Sequence, residues 1–293
     1  MTRHPFRPPV RRILDRFRME DIPKSKRDYL QRLKYEWEYY SEVAFQRAQI
    51  LEDIRKEIIE QSSGPFKIQR WQRAVKYEYA LSPLSARGSL KAPGGRFNIG
   101  QIDTRFPTFP AVYIAKTQET AMDELLSRNA KGELLPFEEL ALTHKASITI
   151  VAVNGELESV FDLRDEKKLA RFVELTGHFK LSDKLKALAR DLQLPLPRVI
   201  CSNSELLKSF LDPNWRFLPM QMDIPANSQL FGQMVEEAGI NGILYPSALS
   251  GEDCLAFFPR NLAHSKSWLE IPDSVPNEIV CKRLDSKSGG LIF

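Results

Sequence analysis

Cysteine and histidine are scarce in this chain, and neither falls in a motif. Three cysteines, Cys201, Cys254 and Cys281, and four histidines are scattered over 293 residues. An odd cysteine count with no CxxC pair excludes a disulfide scaffold and a structural zinc site, and it fits a reducing compartment. The histidines have no metal-ligand spacing, so no metal is expected. There is no run of about 18 apolar residues that would span a membrane. The basic N-terminus is followed by no apolar signal core, so a cytoplasmic location is expected. GxGxxG and P-loop spacings are both missing, and so are internal repeats and low-complexity blocks. A net charge of +4 is modest. It suits an anionic small ligand or an acidic protein partner, and it gives no reason to expect direct contact with nucleic acid.

With 43 % hydrophobic and 27 % charged residues, the composition is that of a globular protein. Its most informative stretch is Gly94-Gly95-Arg96-Phe97-Asn98, followed by Tyr113 and then Glu119-Thr120-Ala121-Met122-Asp123-Glu124. The Gly94-Gly95 pair allows a tight turn. Arg96 leaves that turn with a planar fork of donors suited to phosphate. Tyr113 lies in Ala111-Val112-Tyr113-Ile114-Ala115, an apolar run of strand length. Thr117 can cap a helix behind it, which places Glu124 about two turns in. Turn, strand and helix would then aim a cation, a ring and a carboxylate into one cleft.

Along the chain, a proline-punctuated arm with Arg3, Arg7, Arg11, Arg12, Arg16 and Arg18 reads either as partly disordered or as a docking arm. One helix is expected from about Lys26 to Gln61, with a seam of Leu30, Leu33, Trp37, Tyr40, Ala44, Arg47, Leu51, Ile54 and Ile58 at steps of three and four. That seam would pack on the chain's own domain, or form a homo-oligomer or partner contact. Ser62-Ser63-Gly64-Pro65 ends the pattern, giving a first region of 1–64. A main domain follows over 65–264, with a helical insertion at about 164–215 and an irregular tail over 265–293. Mixed strands and helices argue for α+β rather than a doubly wound sheet. In the strand-like run before the glycine turn, Arg73 is either a surface rung or an inward anion ligand.

These motifs, in this order, resemble the RES-domain family, named for arginine, glutamate and serine. The resemblance covers about residues 66–262. It rests on Arg73, Pro83-Leu84-Ser85 with Gly88, the Gly94–Asn98 motif, Tyr113, Glu119–Glu124, Phe161-Asp162-Leu163 and Gly242-Ile243-Leu244-Tyr245-Pro246-Ser247-Ala248. Each piece alone is weak, and the order is specific. The family implies a compact fold similar to ADP-ribosyltransferases. It implies a toxin of a toxin–antitoxin pair that consumes NAD by hydrolysis or phosphorolysis, and a protein antitoxin as partner. ADP-ribosylation of a specific protein is the alternative. A binding module whose basic arm and helix dock protein or nucleic acid is the non-enzymatic reading.

On that resemblance Arg73, Glu124 and Ser247 are the catalytic set. Arg96, Tyr113, Tyr77, Asn98 and Gly95 are the substrate-binding set, with NAD as substrate and no further cofactor. Cleavage of the nicotinamide–ribose bond passes through an oxocarbenium-like state, which a carboxylate such as Glu124 stabilises. Without the motif, Glu124 would be an exposed helix carboxylate pairing with Arg128 at i+4. Arg73 and Arg96 would hold the pyrophosphate. Tyr113 would stack on nicotinamide or bond a ribose hydroxyl, and Ser247 would donate to ribose or phosphate.

Overall fold

The computed structural model describes residues 22–126 and 148–288. The basic arm up to residue 21, Arg128, residues 146–147 and Gly290 lie outside the described residues. In chain order the elements are α1 Ile22–Gln49, α2 Leu51–Gln61, β1 Phe66–Lys76, α3 Arg87–Leu90, β2 Gly94–Gly95, β3 Asn98–Ile99, β4 Val112–Ala115 and α4 Gln118–Leu126. They continue as β5 Ile148–Leu157, β6 Val160–Asp162, α5 Ala170–Gly177, α6 Asp183–Asp191, α7 Asn203–Phe210, α8 Phe217–Gln221, α9 Asn227–Glu237, β7 Gly242–Pro246, β8 Asp253–Phe257, β9 Trp268–Glu270 and β10 Arg283–Leu284. The class is α+β, as expected, with a long N-terminal helix.

Eight strands form one sheet in the order β10-β9-β5-β1-β4-β8-β7-β6. Pairing is antiparallel except for β6 with β7. The central strands are short and apolar because both of their faces are buried. Tyr113, Ala115, Ile243, Tyr245, Cys254 and Ala256 turn to one core, with Ile54, Ile58, Phe97, Phe161 and Phe231. The alternate residues Val112, Ile114, Leu244, Leu255 and Phe257 turn to the other, with Trp71, Leu84, Leu269 and Leu284. Each single-residue step along a strand crosses the sheet. A separate two-stranded hairpin pairs Gly94 with Ile99 and Gly95 with Asn98.

The described chain divides into two compact units: residues up to Ala48 with Phe179–Val199, and Gln49–His178 with Ile200–Phe293. This departs from the sequence expectation in three ways. The single helix expected over 26–61 is two helices, broken at Ile50 where the backbone leaves helical geometry. Ile54 and Ile58 of α2 belong to the sheet core, so the division between units falls at Ala48 and Gln49 rather than at 64. The tail expected to be irregular carries β9 and β10, whose Leu269 and Leu284 are fully buried.

In the first unit the buried face of α1 is offset from the expected seam. Tyr35, with Tyr39 stacked on it, packs against Leu185, Leu188 and Ala189. Polar bonds fix that register. Gln46 Nε2 donates to the Lys180 carbonyl at 2.9 Å while Gln46 Oε1 accepts from Lys180 N at 2.7 Å. The Glu42 carboxylate accepts from Ser182 N at 2.9 Å and from the Ser182 hydroxyl. Leu30, expected in the seam, is exposed. Apolar spacing alone cannot register these side-chain bonds. The described helices include none long and apolar enough to cross a membrane.

Candidate active-site cleft

The glycine turn is built so that the backbone can approach closely. Gly94 adopts φ of 93°, a conformation that favours glycine. A Cβ on Gly95 would fall on the ring and hydroxyl of Tyr113. Asn98 fixes the turn from inside. Its Oδ1 accepts from Gly95 N at 2.8 Å and from the Tyr113 hydroxyl at 2.9 Å. Its Nδ2 donates to the carbonyls of Ser89 at 2.8 Å and Phe109 at 2.9 Å. The Tyr113 hydroxyl also accepts from Phe97 N at 2.9 Å. Asn98 is fully buried and the Tyr113 hydroxyl is engaged within the protein, so the ring of Tyr113 is the part that lines the cleft.

Beside this turn lies a cleft of about 270 Å³. Its cationic lining is Arg73, Lys76, Lys91, Arg96 and Arg216, against the carboxylates Glu78 and Glu124. Glu78 pairs with Lys91 at 3.6 Å. Among the described residues that line the cleft, cations outnumber carboxylates around Glu124.

Glu124 reaches the cleft from α4. That helix begins as the sequence suggests, with Thr117 Oγ1 accepting from Thr120 N at 3.2 Å. Ser247, immediately after Pro246 ends β7, donates its hydroxyl to Glu124 Oε1 at 2.7 Å. The same hydroxyl accepts from the amides of Leu249 at 3.2 Å and Ser250 at 3.4 Å. Ser250 is tied back to α4 by a 2.9 Å bond between its hydroxyl and that of Thr120. The serine loop and the carboxylate helix are thus held together at both ends.

The arginines are set differently. Arg73 donates to the carbonyls of Tyr113 at 2.9 Å and Ser85 at 2.8 Å, and to that of Pro83. It is buried, which settles against the surface-rung reading, and it clasps β1 to β4 and the loop before the glycine turn. Arg96 Nη1 donates to the carbonyls of Asp212 at 2.9 Å and Phe210 at 3.3 Å, and its buried Nε has no hydrogen-bond partner. Tyr77 is 70 % exposed and does not line the cleft; Tyr79, two residues on, does, with the Lys91 ammonium 5.4 Å from its ring centroid. The short 3₁₀ turn Tyr77–Tyr79 ends the strand alternation and swaps the two rings.

Nothing in the sequence singled out Gln229, Trp215 or Arg216. Gln229 is fully buried on α9, and its Nε2 reaches the carbonyls of Pro93 at 2.8 Å, Asn98 at 3.0 Å and Gly95 at 3.1 Å. Its Oε1 accepts from Ala226 N at 3.1 Å. A glutamine three residues after a helix start is a capping position, and that was the available signal. Cys254 also lines the cleft. Burial, reinforced by the nearby Glu124 charge, pushes its thiol well above the ordinary value, so it is a protonated wall group and not a nucleophile. Among the described residues there is no cluster of histidine, cysteine and carboxylate side chains that could hold a metal ion.

The RES domain model matches residues 68–274, and the chain belongs to the RES-domain family. No curated protein matches the chain. Among solved structures, a chain of the M. tuberculosis MbcT-MbcA toxin-antitoxin complex is similar at 13 % identity. The alignment covers 81 % of this chain and 95 % of that one, with a TM-score of 0.42.

Proposed function

We propose that this protein is a toxin that cleaves the nicotinamide–ribose bond of NAD, passing the ADP-ribosyl group to water or phosphate. RES-domain toxins act on NAD in general, and membership of that family supplies the substrate class. The observation that carries the chemistry is the 2.7 Å bond from the Ser247 hydroxyl to Glu124 Oε1 in a cleft whose described charged lining is mostly cationic. Nicotinamide leaves as a neutral molecule, and positive charge develops on the ribose. A carboxylate held by one oxygen presents the other toward that charge without reorganising, which favours the transition state over the ground state. Arg96, beyond the glycine turn, attracts the pyrophosphate. The cleft is smaller than the roughly 300–1,000 Å³ usual for ligand pockets. It would enclose the reacting half of the dinucleotide and leave the adenosine half outside. A protein antitoxin belongs to this reading, since an enzyme that depletes NAD would otherwise stop its own host.

The test is product analysis after mixing pure protein with NAD in phosphate buffer, beside Glu124→Gln. Release of nicotinamide by the parent, reduced about 10²–10³-fold in the variant, is the expected outcome. ADP-ribose as product would make it a glycohydrolase, and its phosphorylated form would make it a phosphorylase. Absence of nicotinamide release by folded protein would overturn the reading.

A further inference from the structure

The bond between Ser247 and Glu124 joins a helix to a hairpin loop. The loop, residues 247–252, connects β7 to β8, which pair Pro246 with Asp253. It is closed on itself. Ser247 N donates to the Glu252 carbonyl at 2.8 Å, and Gly251 N donates to the Ser247 carbonyl at 2.9 Å. A loop closed in this way moves as a unit, so whatever holds its tip also holds Ser247. The tip is held by α4. Thr120 lies four residues before Glu124, on the same face of that helix. Its hydroxyl bonds that of Ser250 at 2.9 Å, while Glu124 Oε1 accepts from Ser247 at 2.7 Å. Helix and loop are thus joined by two rungs, one turn apart on the helix. The Thr120 rung is itself fixed from both sides. Thr120 is buried, and its Oγ1 accepts from Thr117 Oγ1 at 2.9 Å. On the loop side, Ser250 Oγ accepts from Glu252 N at 3.3 Å.

We infer that Thr120 is a positioning residue for Glu124: through Ser250 it fixes the Ser247 loop against α4, so that Ser247 holds one carboxylate oxygen and leaves the other for the substrate. This rests on the reading of Glu124 as the carboxylate that stabilises the developing ribose cation. A single rung would let the loop pivot about one bond, and a second rung one turn away removes that freedom. The consequence is preorganisation, since the carboxylate need not be realigned as charge develops. Thr120 is not among the described residues that line the cleft, so it acts through Glu124 and not on the substrate.

The test uses the full chain and nicotinamide release from NAD. Thr120→Val keeps the shape of the side chain and removes its hydroxyl. Its kcat should fall about tenfold with KM nearly unchanged, because alignment of the carboxylate is lost and binding is not. Thr120→Ser keeps the hydroxyl and should stay within about twofold of the parent. Ser250→Ala removes the same rung from the loop side, so the double variant should lose no more kcat than the more affected single variant. A threonine serving only the stability of the fold would lower the melting temperature without this pattern. Amide hydrogen exchange supplies a readout independent of turnover. Thr120→Val should speed exchange about tenfold at Leu249, Ser250 and Gly251, whose amides bond Ser247.

A parent-like kcat in Thr120→Val, or a loss confined to KM, overturns the positioning role while leaving NAD cleavage standing. An equal loss of kcat in Thr120→Ser also overturns it, because the hydroxyl would not be the cause. Faster loop exchange in Thr120→Val with no nicotinamide release by the parent keeps the brace and removes the NAD reading. Unchanged exchange with no release removes both.

Discussion

Ser247 shows how a single hydroxyl can serve a turn and a carboxylate at once. It accepts from two amides of its own loop and donates to Glu124 Oε1. The family resemblance pointed to this serine, with donation to ribose or phosphate as the expected role. Its partner is Glu124, a contact 123 residues away in sequence that no local pattern encodes. A hydrogen bond to a charged group is worth about 1.5–3 kcal/mol. Ser247→Ala should therefore lower kcat for nicotinamide release by about 10–100-fold. A loss confined to KM would show that the serine binds substrate instead. The three thiols provide an independent check on the electrostatics. Thiolate is the reactive form, and burial with the Glu124 charge raises the Cys254 pKa, so little thiolate exists there near neutral pH. Exposed Cys201 should react promptly with an aromatic disulfide reagent, and Cys254 only after denaturation, as counted by released chromophore with and without denaturant.

At the scale of elements, the glycine turn and α9 form one construction. Gly232 of α9 sits where a Cβ would overlap the Phe97 carbonyl, and this closeness lets Gln229 gather three carbonyls of the turn. Gly232→Ala should cost about 1–3 kcal/mol or more by overpacking. Gly177, at the end of α5, has open space around it, and Gly177→Ala should be neutral or stabilising by about 0.5–1 kcal/mol. Urea midpoints of the two variants test the contrast. Equal midpoints would remove the close approach. The glycine turn, the strand of Tyr113, the capped helix of Glu124 and the strand before Ser247 were all legible, because each is set by local chemistry. Tyr79 in place of Tyr77, Trp215, Arg216 and Gln229 were not, because a 3₁₀ turn and long-range packing place them. Strands of two and three residues such as β10 and β9 are too short for alternation to be read.

For the whole molecule, every described residue lining the cleft belongs to the unit formed by Gln49–His178 and Ile200–Phe293. A chain beginning at Gln49 should therefore keep nicotinamide release, although it loses the Tyr35 and Tyr39 packing on Leu185, Leu188 and Ala189. A chain beginning at Phe66 also loses Ile54 and Ile58 from the sheet core. Emptying a buried isoleucine site costs about 2–5 kcal/mol. Two such losses approach the whole 5–15 kcal/mol stability of a domain. The shorter chain should melt far lower or fail to fold, as circular dichroism would show. Equal melting of the two would contradict the core assignment of α2.

The most direct measurement of the central claim is nicotinamide release from NAD by purified protein, with Glu124→Gln run beside it and both melting temperatures recorded. The account predicts release by the parent and a loss of about 10²–10³-fold in a variant that melts normally. Release that survives in Glu124→Gln, or no release by folded parent protein, would contradict it.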